Sequence, residues 1–98
     1  MGVMRMRYTY SIVLSPGDER GFVVEVPTLP GCATFGETLT EALLNAEEAI
    51  SLYLEMLRDD GDPIPQEGEE VTVNVGRRRE VLVRQVTVVL PEELANVA

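Results

Sequence analysis

The sequence predicts an α+β domain of order β-β-β-α-β(β), with one long helix packed on a small, mostly antiparallel sheet. Three observations predict it. Apolar residues alternate with polar ones near the N-terminus, from Arg7 to Leu14, and apolar residues dominate again from Val81 to Leu90. Between them a single long stretch, Thr38 to Asp60, carries helical spacing. The chain has 98 residues, enough for one modest core and not for two.

In the first strand Tyr8, Tyr10, Ile12 and Leu14 share one face, and Thr9, Ser11 and Val13 share the other. Ser15-Pro16-Gly17-Asp18-Glu19-Arg20-Gly21 is turn chemistry. Phe22, Val24 and Val26 then alternate with Val23 and Glu25, so the two strands form a hairpin. Pro27-Thr28-Leu29-Pro30-Gly31 forces a rigid bend, because two prolines cannot donate to a ladder. Cys32 to Phe35 is a short third strand ended by Gly36.

Thr38 caps the helix, and Glu41 stands at the reciprocal position of a capping box. Leu39, Ala42, Leu43, Ala46, Ala49, Ile50, Tyr53, Leu54 and Leu57 form its apolar stripe. Glu41, Asn45, Glu48, Glu55 and Arg58 lie opposite. Gly61 stops the helix and Pro63 prevents its resumption. Val71, Val73 and Val75 predict a fourth strand, Gly76 to Glu80 a turn, and Val81 to Leu90 a fifth strand. Pro91-Glu92-Glu93 reads as a first helical turn. These elements divide into a domain at 1–76 and a C-terminal strand extension at 77–98.

Composition narrows the function classes. Seventeen acids against eight bases give a formal net charge of −9. Nucleic-acid affinity rests largely on cationic contacts with phosphates, so this balance favours a basic partner over DNA or RNA. Solubility alone would also account for the charge. No stretch approaches the roughly 20 apolar residues that span a bilayer. With one cysteine and no export signal at the N-terminus, a cytoplasmic location is expected. The chain has no His, the usual general base near neutral pH. Cys32 therefore has no His to take its proton, and a buried structural thiol is the favoured reading. The glycines lack the spacing and the lysine of a phosphate loop. No metal, cofactor or catalytic residue is expected.

Three segments resemble the HicB antitoxin family: Tyr8-Thr9-Tyr10-Ser11-Ile12-Val13-Leu14, Gly21-Phe22-Val23-Val24-Glu25-Val26-Pro27, and Leu29-Pro30-Gly31-Cys32-Ala33-Thr34-Phe35-Gly36-Glu37-Thr38. The helix from Glu41 to Ile50 and the exit Asp60-Gly61-Asp62-Pro63-Ile64-Pro65 continue the match in order, so the resemblance runs from about Arg7 to Pro65. It implies a degraded ribonuclease-H-like domain, a dimer or tetramer, and a small basic partner, the mRNA-cleaving toxin HicA. That fold invites a search for clustered metal-binding carboxylates, but Glu25 is the only acid within the first three strands. Many family members add a DNA-binding module that represses their own operon. Here Arg84 to Ala98 resembles only the strand and first turn of a ribbon-helix-helix module, so operator binding is doubtful.

Each candidate site has a plainer reading beside the functional one. Glu37, Glu41, Glu48 and Glu55 are the candidate surface for a basic toxin, and equally the wet face of an amphipathic helix. Arg77, Arg78, Arg79 and Arg84 hold half of the basic residues. They are candidates for nucleic-acid contact or a solvated tip that blunts an edge strand. Val81, Val83, Val86 and Val88 would pair with the same strand of another subunit, or with Val71 to Val75 in the same chain. The expected function is neutralisation of a toxin, by steric blockade of its access to RNA. The alternatives are a transcriptional regulator and an orphan oligomeric domain without a toxin.

Overall fold

Tyr10, Ile12 and Leu14 turn to one face of a long strand, β1 (Val3–Pro16), and are buried there. The computed structural model describes residues 3–73, 75, 76 and 80–93 of the chain. β2 (Phe22–Glu25) and β3 (Ala33–Gly36) follow as short antiparallel neighbours, then a helix, α1 (Leu39–Asp59), and a last long strand, β4 (Leu82–Glu93). The sheet runs β3-β2-β1-β4 and every pairing is antiparallel. The expected architecture, one helix on a small antiparallel sheet, is therefore the observed one.

The core lies between α1 and a single sheet face. Ala42, Ala46, Ile50 and Leu54 of α1 meet Tyr10, Ile12 and Leu14 of β1, Val24 of β2, and Val86, Val88 and Leu90 of β4. Small residues at 42 and 46 let the helix come close. Gly36 makes that approach possible, since a Cβ there would lie 2.3 Å from the Ala42 amide nitrogen.

Both helix ends follow local chemistry. The Thr38 hydroxyl accepts from the Glu41 amide at 3.1 Å. Glu41 reaches back to the amide of Glu37, one residue before the cap, at 3.3 Å. At the other end the Asp62 amide donates to Leu57 and the Gly61 amide to Arg58, with Gly61 at φ +74. That pair of bonds is a Schellman stop, and its left-handed residue favours glycine.

The bend after β2 is built from successive turns. The amides of Leu29 and Cys32 donate to Val26 and Leu29, and Gly31 has φ +82, as a Pro-Gly turn requires. Leu29 fills the core beneath it, while Tyr53 of α1 donates its hydroxyl to the Pro30 carbonyl at 2.9 Å.

Two sequence expectations need correction. Residues 71–73 and 75 form no strand, although Val71 and Val73 are half-buried. Alternation records which side chains face inward, but a strand also needs a ladder partner, and β4 takes β1 along twelve residue pairs instead. Pro91-Glu92-Glu93 is the end of β4 and not a helical turn, because it continues the ladder opposite Arg5, Met4 and Val3. Among the described residues no helix is long and apolar enough to cross a membrane.

Candidate partner-binding surface

The face of α1 turned away from the sheet is a mixed acidic and apolar surface. Glu41, Glu48 and Glu55 lie along it at intervals of seven residues, about two helical turns apart. Leu44, Leu52 and Met56 lie on the same face and are 60%, 58% and 59% exposed. Three large apolar side chains that open to water on one helix face are unusual for a surface serving solubility alone. The sequence carried a signal for them: all three fall outside the apolar stripe that faces the core, a departure that reading the acids alone overlooks.

The four predicted acids have different surroundings. Glu37 precedes the helix and pairs with Arg20 at 3.2 Å, both side chains being well exposed. Glu41 holds the Glu37 amide. Glu48 lines a shallow groove of about 220 Å³ between α1 and β3, with Thr34, Asn45, Ala49 and Leu52. Glu55 is half-buried on the same helix face. Structure thus brings Glu41, Glu48 and Glu55 together with the exposed leucines and leaves Glu37 beside the hairpin.

A residue the sequence reading missed anchors the linker after the helix. The carboxylate of Glu67 accepts from the Ser11 amide at 2.7 Å, the Ser11 hydroxyl at 2.8 Å and the Thr28 hydroxyl at 3.0 Å. Nearby, the Tyr10 hydroxyl donates to the Pro65 carbonyl at 2.5 Å. Burial, with the adjacent Tyr8 and Glu67, pushes the Tyr10 phenol up to about 12. Nothing local in the sequence marks Glu67, since its partners are far away in the chain.

Cys32 is buried, and burial raises its thiol above the ordinary value, which favours the neutral form over the reactive thiolate. Among the described residues no three His, Cys, Asp or Glu side chains converge as metal ligands would.

The remaining predicted residues separate along β4. Val86 and Val88 are only 6% and 4% exposed and belong to the core under α1, so their side chains are unavailable to a second subunit. Val81 is half-buried, and Val83 is exposed on the opposite sheet face. The alternative of a hairpin between this strand and Val71 to Val75 is replaced by pairing with β1. Arg84 is exposed, and its guanidinium donates to the Val83 carbonyl at 3.2 Å. Arg77, Arg78 and Arg79 lie outside the described residues.

Comparison with known proteins adds to this geometry. Residues 10–94 match the family described as HicB_like antitoxin of bacterial toxin-antitoxin system. A UPF0150 protein of Thermoplasma acidophilum is 42% identical over 66 residues, covering 66% of this chain and 96% of that protein. In fold, the chain is similar to part of a toxin–antitoxin complex from Streptococcus pneumoniae. That TM-score is 0.68 at 20% identity, covering 85% of this chain and 69% of the other. It is also similar to the N-terminal domain of the Burkholderia pseudomallei antitoxin HicB. There the TM-score is 0.59 at 25% identity, covering 80% and 94%.

Proposed function

Because the chain belongs to the HicB-like antitoxin family, we propose that it is an antitoxin that binds and neutralises a small, basic, mRNA-cleaving toxin of the HicA type in the cytoplasm. The observation that carries this reading is the outer face of α1, where Leu44, Leu52 and Met56 are exposed among Glu41, Glu48 and Glu55. Its parts suit the two tasks of such an interface. The acids, within a chain of net charge −9, steer a basic partner and speed encounter. The apolar side chains exclude water on docking and set the residence time. Inhibition is steric and needs no catalytic group on this chain: the toxin's RNA-binding surface is covered while the complex lasts. The fold likeness to a chain in a toxin–antitoxin complex supports a toxin as the class of partner.

The test is affinity purification of the tagged chain from its native cell, with intact-mass identification of what co-purifies. A stoichiometric partner that is small and basic, and whose ribonuclease activity is restored on separation, is the expected result. Recovery of the tagged chain with no such partner would overturn it.

A further inference from the structure

β1 is flanked unequally along its length. On one side β4 pairs with it from Val3 to Leu14. On the other, β2 pairs only with Val13 to Pro16. Below Ser11 the sheet is therefore a two-stranded ribbon, and β1 has an open edge there. The register shows which groups that edge offers. Gly17 donates its amide to the Gly21 carbonyl, one step beyond the Pro16–Phe22 pair, so odd-numbered residues of β1 bond on the β2 side. The Ser11 amide agrees, since it turns away from β4 to the Glu67 carboxylate. Arg5, Arg7 and Thr9 continue the alternation, and their amides and carbonyls have no partner among the described residues.

Side chains flank this edge in two rows. Arg5, Arg7 and Thr9 are exposed on the sheet face away from α1, and neither arginine is in an ion pair among the described residues. Met6 and Tyr8 are half-buried on the face that carries α1, where Tyr8 packs against the core. Arginines on an edge repel a basic strand and so blunt it. They do the opposite for an acidic strand, because opposite charges facing each other across a ladder attract.

We propose that the β1 edge from Arg5 to Thr9 receives an extended segment of another protein, one that alternates acidic with apolar residues, as an added antiparallel strand. Its backbone pairs with the amides and carbonyls of Arg5, Arg7 and Thr9. Its acidic side chains lie beside Arg5 and Arg7, and its apolar ones cover Met6 and Tyr8. The Glu67 carboxylate, which occupies the Ser11 amide, closes one end of the site. The chain's own Val71 to Val75 has apolar alternation but cannot reach. Running on from Glu67 along this edge would bring Val75 beside Val3, roughly 36 Å from Leu14 along the strand. The steps from Val75 to Leu82, which pairs with Leu14, span at most about 25 Å. The chain's net charge of −9 opposes an acidic partner at long range, but salt screens that effect beyond about 8 Å, while the two arginines act at contact. This proposal is independent of any toxin. It uses β1 and not the outer face of α1, and it selects an acidic segment where the proposed toxin is basic.

Amide exchange of the isotope-labelled full chain, followed by NMR, tests it with two blocked heptapeptides, one alternating Glu with Val and one alternating Lys with Val. The Glu peptide at about 1 mM is expected to slow exchange of the Arg5, Arg7 and Thr9 amides about tenfold, and the Lys peptide to leave them unchanged. Arg7→Pro removes an amide that faces the open edge without touching the β4 ladder, so it is expected to fold as the parent does and to lose the protection at Arg5 and Thr9. Arg5→Glu combined with Arg7→Glu is expected to reverse the preference, taking the Lys peptide in place of the Glu peptide. A parent chain that the Glu peptide does not protect at that concentration would overturn the proposal. So would equal protection by both peptides, or a folded Arg7→Pro chain that binds the Glu peptide as the parent does. Protection already present in the chain alone and growing with its concentration would also overturn it, by assigning the edge to a second copy.

Discussion

Ser11 and Glu67, 56 positions apart, are joined by two hydrogen bonds at the point where β2 leaves the sheet. Pairing between β1 and β2 ends at Val13 opposite Glu25. The next outward amide on that side, Ser11, would lose its ladder partner, and the Glu67 carboxylate replaces it. The same carboxylate holds Thr28 in the bend after β2, so one side chain ties together β1, the bend and the linker that follows α1.

Glu67→Ala is expected to destabilise the fold by about 2 kcal/mol, the range for losing charge-assisted hydrogen bonds to a part-buried amide. Glu67→Gln should fall between, because an amide keeps one acceptor and adds a competing donor. Urea unfolding midpoints would measure both. A midpoint for the alanine variant equal to the parent would refute the anchoring role.

Tyr10 makes stability sensitive to alkaline pH. Its phenol ionises near 10 when unfolded and at about 12 in the fold. The raised value means the folded state holds its proton longer, so the contribution is fully present below pH 10 and is lost as pH rises toward 12. The loss should be on the order of 2 kcal/mol across that window. Denaturant titrations at pH 9, 10 and 11 would show it, and Tyr10→Phe should remove this part of the slope.

Gly36→Ala is expected to cost about 3 kcal/mol, because the new methyl meets helix backbone and not a movable side chain. Thermal unfolding followed by circular dichroism would report it. A substitution tolerated without loss would mean that α1 does not press on β3 as closely as described.

Leu52→Glu tests the outer face of α1. The side chain is 58% exposed, so folding stability should change by less than about 0.5 kcal/mol. Affinity for the co-purified basic partner should fall at least about tenfold, or about 1.4 kcal/mol, if the leucine is an apolar anchor. Calorimetric titration would separate this from Glu48→Gln, which should chiefly slow association and weaken its salt dependence.

Much of the candidate surface was legible as chemistry but not as a surface. The acids at 41, 48 and 55 stand at helical spacing, so their shared face follows from sequence. Leu44, Leu52 and Met56 were visible as apolar residues off the core stripe, yet only the packed helix shows that no other element among the described residues covers them. The roles of Val86 and Val88 went the other way. Alternation marked them as adhesive, and the helix above them makes them core.

What the sequence determined by itself is local. Period-two alternation set the inward faces of β1 and β2, three-and-four spacing set the core stripe of α1, and Thr38 and Gly61 set its ends. These are short-range preferences, readable wherever the neighbouring residues agree. Tertiary structure alone decided which strands pair. Alternation states a face but not a partner, and choosing β1 over residues 71–75 for β4 depends on how the linker after α1 returns along the sheet. The buried position of Val86 under α1 follows from that one long-range choice.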